Sequence, residues 1–303
     1  MSERRILVTG GSGQVGKELL RTSWPQGTLL VAPTRAELDL ADYDWVSQYV
    51  ARGGFDAIVN SGAYTAVDSA ETEVLQAWKV NALAPAAIAS AAANLNIPII
   101  QVSTDYVFNG LKDQPYNEDD AVGPLGVYGA SKEAGEQAIR TLNHRHIILR
   151  TAWVFSANGS NFVDTMLRLA ADRDVLNVVS DQNGSPTSAV DIAAAIAAIV
   201  ARLFVDPAAP LGTYNFVNDG QSTWYGFAQE IFSLRAQSGY TVPIVNPILS
   251  SQYATKAKRP HNSRLSTAKL ARDYGIYPRP WTDALADVMD AIQCKIVSEA
   301  SAH

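Results

Sequence analysis

A single cysteine, Cys294, is all the thiol chemistry in this chain. It excludes an intramolecular disulfide and any zinc cluster built from thiolates. Positive charge is not in excess either: 24 Lys and Arg stand against 30 Asp and Glu, a formal net charge of −6. That balance excludes a general attraction to nucleic acid or to an anionic membrane, and leaves room only for a local basic patch. Long apolar runs are missing as well. The longest, IAAAIAAIVA at 192–201, stops at Arg202 and is too short to cross a bilayer. The opening MSERRILVTGG has too short an apolar stretch for a signal-peptide core. There is no internal repeat and no low-complexity tract. These absences lead to the expectation of a soluble protein of the reducing cytoplasm, with no nucleic-acid and no membrane partner. With 303 residues, 47% of them hydrophobic, the chain can build one large core or two packed units.

What is present alternates in a regular way. RILVT (5–9), TLLVA (28–32), AIVN (57–60), IPIIQVS (97–103) and HIILR (146–150) read as strands. Between them 14–23, 42–52, 73–95 and 126–142 read as helices. The strands lack polar alternation, as expected of a parallel sheet covered on both faces. Repeated βα units with right-handed crossovers predict an α/β fold with a doubly wound parallel sheet of Rossmann type. Beyond about residue 155 the rhythm loosens. Helices are predicted at 161–172, 190–204, 223–237 and 281–293, separated by stretches such as DPAAPLG and YPRPW. A smaller C-terminal α/β unit forming a cleft with the first is expected.

In ILVTGGSGQVGKELL, Gly10, Gly13 and Gly16 follow the first strand and open the first helix. Glycines there let the backbone approach a pyrophosphate, and the helix N-terminus offers free N–H groups to it. Residues 1–160 are therefore read as a dinucleotide-binding domain. Residues 161–303 are read mainly as a substrate-binding domain, with segments near 190–220 returning to the first sheet. After the second strand come Thr34 and Arg35 in place of an acid. A hydroxyl and a guanidinium suit the 2′-phosphate of NADPH; the alternative is that Arg35 is a solvated loop charge. Asp39 and Leu40 follow, where they can grip adenosine.

Loops at the carboxyl ends of the strands carry Ala63, Tyr64 and Thr65 after the third, Thr104 and Asp105 after the fourth, and Trp153 after the fifth. Ligands of open α/β sheets bind at those ends. Tyr128 precedes Lys132 by one helical turn in VYGASKEAGE. Beside a nicotinamide, a phenol can give a proton to a ketone oxygen. An adjacent ammonium favours the phenolate, and the Thr104 hydroxyl can polarise the carbonyl. Asn81 can hold a water behind Lys132. The bland readings are a chance Tyr-x-x-x-Lys, a core Trp153 and a turn-capping Asp105. KAKRPHNSRL gathers Lys256, Lys258, Arg259 and Arg264, either a solvated face or a cradle for a nucleotide diphosphate.

These residues resemble the extended type of the short-chain dehydrogenase/reductase superfamily. GGSGQVG, NSGAYTAVDSAE, STDYVFNG, VYGASKEAGE, LRTAWVF, DQNGSPTSA and RPHNSRL resemble, within it, the dTDP-4-dehydrorhamnose reductase family. The resemblance runs from about 4 to 293, and STDYVF, DQNGSPT and RPHNSRL are far more specific than the glycines. It implies NADPH-dependent (NADH possible) reduction of a dTDP-sugar ketone at C4, the last step of dTDP-L-rhamnose synthesis for cell-surface polysaccharide. It implies Tyr128 as general acid, Lys132 as its partner, and Thr104, Asp105, Trp153, Arg259 and Arg264 on the substrate side. It implies Gly13, Gln14 and Val15 at the pyrophosphate, and Ala63, Tyr64 and Thr65 at the middle of the cofactor. Some relatives are dimers bridged by magnesium. Here Glu18 matches one acidic ligand, but Val190 and Ile292 stand at the others, with Asp191 and Asp290 as neighbours. No metal, and a monomer or weak homodimer, are expected. Two other readings stay open: a non-catalytic NADP-binding regulatory subunit, and a nucleotide-sugar epimerase or dehydratase.

Overall fold

Short β-branched runs bounded by turns form the strands, and the computed structural model describes residues 3–300. The first half runs β1 (Arg4–Thr9), α1 (Gln14–Arg21), β2 (Thr28–Val31), α2 (Tyr43–Arg52) and β3 (Ala57–Asn60). It continues through short helices α3 (Val67–Ala70) and α4 (Val74–Trp78), then α5 (Ala84–Asn94), β4 (Ile99–Thr104), α6 (Val127–Leu142) and β5 (His146–Thr151). The second half adds β6 (Val154–Phe155), α7 (Phe162–Asp172), β7 (Val175–Val179), β8 (Asn183–Gly184), β9 (Thr187–Ser188) and α8 (Ala189–Val205). After these come β10 (Gly212–Asn215), β11 (Ser222–Thr223), α9 (Trp224–Gln237), β12 (Ile244–Ile248), α10 (Ala268–Tyr274) and α11 (Trp281–Ala300).

The central sheet has six strands in the order β10-β5-β4-β3-β1-β2, all parallel. The chain reverses direction across the sheet between β1 and β3, which opens a crevice at their carboxyl ends. One face is covered by α1 and α8, with Leu19, Ile192, Ile196 and Ile199 fully buried on Ile6, Val8 and Leu149. α8 is nearly all Ala, Ile and Val because it lies flat on the sheet. The other face is covered by α2, α5 and α6, through Val46, Val50, Ile88 and Ile139. A second core joins α7, β7, α9 and α11 around Phe155, Met166, Phe227, Ile231, Trp281 and Leu285.

The structure departs from the sequence pattern in the Ala-rich region 73–95, expected as one helix. It is broken into α4, a π-helical turn at Lys79–Leu83, and α5, which has Pro85 in its first turn. One extra residue per turn swings Asn81 inward, where it is buried. GTYN is too short and polar to announce β10 as a strand by itself; it lies in the stretch near 190–220 expected to return to the first sheet, and it extends that sheet beyond β5.

Candidate active site

The glycine turn is built for close approach. Gly10 has φ +71°, and a Cβ there would lie 2.6 Å from the Gly62 backbone. A Cβ on Gly16 would stand 2.0 Å from the Gly10 carbonyl oxygen. Gly13 caps α1 with no side-chain hydrogen bond, so the first N–H groups of α1 face outward for an anion. This cradle fits a dinucleotide pyrophosphate. Gln14 reaches the second half of the chain, where its Oε1 accepts from Ser156 Oγ at 3.2 Å. Val15 and Gly16 are buried behind it.

Leu40 folds onto the crevice, its Cδ1 2.5 Å from where a Gly62 Cβ would be. At the end of β2, Thr34 donates both its N–H (2.7 Å) and its hydroxyl (2.9 Å) to Glu37 Oε2. Those two bonds hold the Glu37 carboxyl below its ordinary range. Arg35 is 77% exposed and faces Asp39 at 3.6 Å. Thr34 is thus an anion-holding pair of donors, and its present anion is a carboxylate of the same loop.

At the end of β3 the backbone of Tyr64, between Ala63 and Thr65, is clamped by Asn81. Asn81 Oδ1 accepts the Tyr64 N–H (2.8 Å), and its Nδ2 donates to the Tyr64 carbonyl (3.0 Å) and to Ser131 Oγ (3.0 Å). The side chain expected to hold a water behind Lys132 is instead committed to the loop and to α6.

Tyr128 and Lys132 share the inner side of α6. The Glu71 carboxylate accepts the Val127 N–H at 2.8 Å and fixes the start of this helix. Gly129 lets it approach, since a Cβ there would be 2.2 Å from the Tyr106 carbonyl oxygen. Lys132 is buried, and its Nζ donates to the Val102 carbonyl of β4 at 2.7 Å. The same carbonyl accepts Gln101 Nε2 at 2.9 Å. Gln101 accepts from Asn60 at 2.6 Å, and Asn60 from Thr9, so a polar chain links β1, β3 and β4 below the crevice. Burial pulls the Lys132 ammonium down to about 8, against the pull of Glu136. Burial also pushes the Tyr128 phenol up, while a hydrogen bond with the Thr104 hydroxyl opposes that and the Asp105 and Tyr106 charges add to it. The expected effect of Lys132 on the phenol is not what dominates here: Thr104 is the group that favours the phenolate.

Asp105 follows Thr104 in a turn of 3-10 helix, Asp105–Val107, and its Oδ1 accepts the Thr104 hydroxyl at 3.1 Å. Its Oδ2 is buried without a hydrogen-bond partner. Burial pushes this carboxyl up to about 6, with the Ser263 and Thr104 hydroxyls opposing. A raised carboxyl favours the fold when protonated: its contribution is complete below about 4 and lost as pH rises through about 6. Asp105→Asn does not titrate. It is therefore expected to be more stable than wild type at pH 8 by about 2–3 kcal/mol, the energy of a two-unit shift. The gap should close by pH 4. Denaturant melts at both pH values check this, and an equal gap at both would remove Asp105 as the titrating group.

Trp153 has φ +49°, a left-handed backbone that is rare for a bulky residue and characteristic of functional sites. Its indole lies flat on Gly184, where a Cβ would sit 2.4 Å from the ring, and stacks on Trp224 with centroids 3.6 Å apart. The glycine of DQNGSPT exists to admit this ring.

Three sequence motifs meet around it. The Asn183 N–H donates to the His261 carbonyl and the Ser263 N–H to the Asn183 carbonyl, tying DQNGSPT to RPHNSRL. Asn262 donates to the Lys112 and Gln114 carbonyls, and Pro260 packs on Gly110, which follows STDYVF. Arg259 pairs with Asp68 of the first half at 2.8 Å and keeps a buried Nε without a partner. Arg264 is committed to Asn262, Gln221 and the Asp113 carbonyl, so it braces the loop. Lys256 and Lys258 are exposed.

Two charged residues of this region went unnoticed in the sequence, Glu136 and Arg150. Glu136 stands one turn after Lys132, and that spacing was the available signal.

Glu18 accepts from Asn158 at 2.8 Å and from Arg21 at 3.3 Å, while Asp191 is paired with Arg279. Among the described residues no group of three His, Cys, Asp or Glu side chains gathers to hold a metal. No helix among them is long and apolar enough to cross a membrane.

Comparison with known proteins adds the following. The family described as the RmlD substrate binding domain matches residues 4–294. A dTDP-4-dehydrorhamnose reductase of Aggregatibacter actinomycetemcomitans is 42% identical over 287 residues, covering 94% of this chain and 98% of its own. The crystal structure of a dTDP-4-dehydrorhamnose reductase from Clostridium acetobutylicum superposes with a TM-score of 0.89 at 34% identity, covering 95% of this chain and 99% of that one. One from Bacillus anthracis, in complex with NADP, superposes with a TM-score of 0.87 at 31% identity over the same shares of the two chains.

Proposed function

The chain belongs to the dTDP-4-dehydrorhamnose reductase family, and from that premise we propose how its residues perform the reaction. The activity is NADPH-dependent reduction of the C4 ketone of dTDP-4-dehydro-L-rhamnose to dTDP-L-rhamnose. The observation that carries the residue-level reading is that Tyr128 bonds Thr104 and Lys132 bonds the Val102 carbonyl, both on the last residues of β4.

NADPH, when bound, supplies the hydride. The cradle of Gly10, Gly13 and Gly16 would hold its pyrophosphate, with Gln14 and Val15 alongside, and Leu40 and Asp39 its adenosine. Tyr128 is the acid that gives its proton to the C4 oxygen. The phenol is protonated at neutral pH, and the Thr104 hydrogen bond, which opposes the upward push of burial, eases release of the proton. Thr104 donates to the same oxygen and then to the phenolate. Lys132 provides the positive charge one turn away. Asp105 Oδ2 and Arg259 Nε are buried polar atoms without partners, and a sugar hydroxyl and a diphosphate satisfy them. Trp153 forms an apolar wall. Asn81 and Arg264 act by holding loops.

Purified protein mixed with NADPH and dTDP-4-dehydro-L-rhamnose should oxidise one NADPH per dTDP-L-rhamnose formed. No oxidation would favour a regulatory subunit. Conversion of the substrate to an isomeric ketone without NADPH consumption would favour an epimerase.

Cofactor choice follows from the β2 loop. A charge-assisted bond contributes about 1.5–3 kcal/mol, and about 1.4 kcal/mol is tenfold. Wild type is expected to favour NADPH about tenfold in kcat/KM. Arg35→Ala should lose that preference with NADH use unchanged. Glu37→Gln should widen it, because a neutral amide yields Thr34 to the 2′-phosphate more readily. Equal losses with both cofactors in Arg35→Ala would make Arg35 a solvated charge.

We also propose a cytoplasmic monomer or weak homodimer without structural magnesium, with 1–160 serving the cofactor and 161–303 mainly the substrate. Glu18 is already engaged by Asn158 and Arg21, and Val190 presents an apolar side chain beside it. Equilibrium sedimentation with and without magnesium tests the assembly.

A further inference from the structure

Glu136 and Arg150 form an ion pair that the mechanism does not use, and both are almost fully buried, with side-chain exposures of 0% and 2%. The Glu136 carboxylate accepts Arg150 Nη2 at 2.7 Å and Nε at 3.0 Å, Ser103 Oγ at 2.5 Å and Arg140 Nη1 at 2.9 Å. Arg150 also donates to the Glu118 carbonyl and lies over the Phe108 ring at 4.9 Å. As mere glue this is a poor choice, because well-packed apolar side chains commonly stabilise as much or more. What apolar packing cannot supply is a fixed negative charge one helical turn below Lys132, on the same side of α6.

Lys132 needs such a charge. It is buried, and its own hydrogen-bond partner is a neutral carbonyl. The titratable groups on the elements packed against α6 are Asp68, Lys79, Asp105, Tyr106, His146 and Arg150, with Tyr128, Glu133, Glu136 and Arg140 beside Lys132 on α6 itself. Asp68 is taken by Arg259, Asp105 and Tyr106 act on Tyr128, and Arg140 braces Glu133 and Glu136. Glu136 is the charge that acts on the Lys132 ammonium.

We infer that Glu136 is a positioning residue for the reaction: held ionised by Arg150, Ser103 and Arg140, it keeps Lys132 an ammonium and sets the upper pH limit of turnover. The inference rests on the proposed role of Lys132 beside Tyr128. Burial already brings Lys132 down to about 8, and losing the opposing pull of Glu136 lowers it further. An ammonium required for activity is present below that value and lost above it.

The test is the pH profile of kcat/KM and of NADPH affinity in the full chain, for wild type, Glu136→Gln, Glu136→Asp and Lys132→Met. In Glu136→Gln the alkaline limb of both profiles should move down by about one pH unit. Activity at pH 8 then falls about fivefold, because the wild-type ammonium is already half lost there, while activity at pH 6 stays near wild type. Glu136→Asp, which keeps the charge, should restore most of the limb. If Glu136→Gln does not fold, Glu136→Gln with Arg150→Met removes both buried charges and should show the same downward shift. Lys132→Met failing to reduce either turnover or NADPH affinity would sink the reading of Lys132, and this inference with it. Lys132→Met inactive but Glu136→Gln showing an unshifted profile, with only a lower melting temperature, would overturn the inference alone and leave the pair structural.

Discussion

Tyr128→Phe is expected to lower kcat by about 10²–10⁴, the usual cost of removing a positioned acid. The substitution takes away one hydroxyl. The ring keeps its edge-on contact with Tyr106, centroids 5.4 Å apart, and α6 keeps its cap from Glu71. The fold should therefore melt near wild type. NADPH affinity should stay within a few-fold, because the glycine cradle and Lys132 are untouched. The loss belongs in kcat rather than KM, since the proton moves only in the transition state. The hydroxyl that remains, Thr104, can still polarise the ketone, and this residual help sets the lower end of the range. A variant with kcat within a few-fold of wild type would mean that another group delivers the proton. Asp105 would then be the first to examine, because its carboxyl is pushed up to about 6 and bonds Thr104 directly.

The parallel sheet was legible because its strands are buried on both faces and so are written in Ile, Leu and Val without interruption. AIVN coincides with β3, and HIILR with β5 to within one residue. The strands that were missed, β6 to β12, are two to five residues long, and apart from β10 they pair two by two outside the main sheet, β6 with β9, β7 with β12 and β8 with β11. Such short segments are too brief to carry a period that can be read. The π-helical turn was hidden for a related reason. KVNALAP has ordinary helical composition, and only the inward burial of Asn81 shows that a residue has been added.

Site residues divided along the same line. Positions defined by backbone shape, Gly10 and Gly16, announce themselves through spacing, and the structure gives each a contact that only glycine allows. Side chains whose use depends on a distant partner do not. Arg264 looks like an anion-binding cation in RPHNSRL, yet Asn262, Gln221 and the Asp113 carbonyl engage its guanidinium. Thr34 looks free and is held by Glu37. Asn81 looks like a water holder and clamps Tyr64. The Asn81 and Arg264 bonds join residues whose pairing depends on loop geometry, which no local pattern encodes; only Thr34 and Glu37, as Thr-x-x-Glu, carry a local signature.

Arg150→Met is expected to be the most destabilising of the substitutions considered, by about 3–5 kcal/mol, because it strands a buried carboxylate. In wild type, burial alone would push Glu136 up, but Arg150, Ser103 and Arg140 outweigh it and hold the carboxyl below its ordinary 4.5. A depressed carboxyl contributes stability that is present above its unfolded value and lost as pH falls through the folded one. Without Arg150 the balance reverses. With the Arg150 contributions gone and only Ser103 and Arg140 left to oppose it, burial is expected to push the carboxyl up, and the variant should be most stable where Glu136 is protonated. The deficit against wild type should therefore be small near pH 4 and grow toward pH 8. Urea melts across that range measure it. Glu136→Gln with Arg150→Met should recover most of the loss at pH 8, since no ionised carboxylate is left to strand. A deficit that is constant with pH, or no recovery in the double variant, would mean that Arg150 stabilises through packing on Phe108 and its bond to the Glu118 carbonyl, and not through the charge of Glu136.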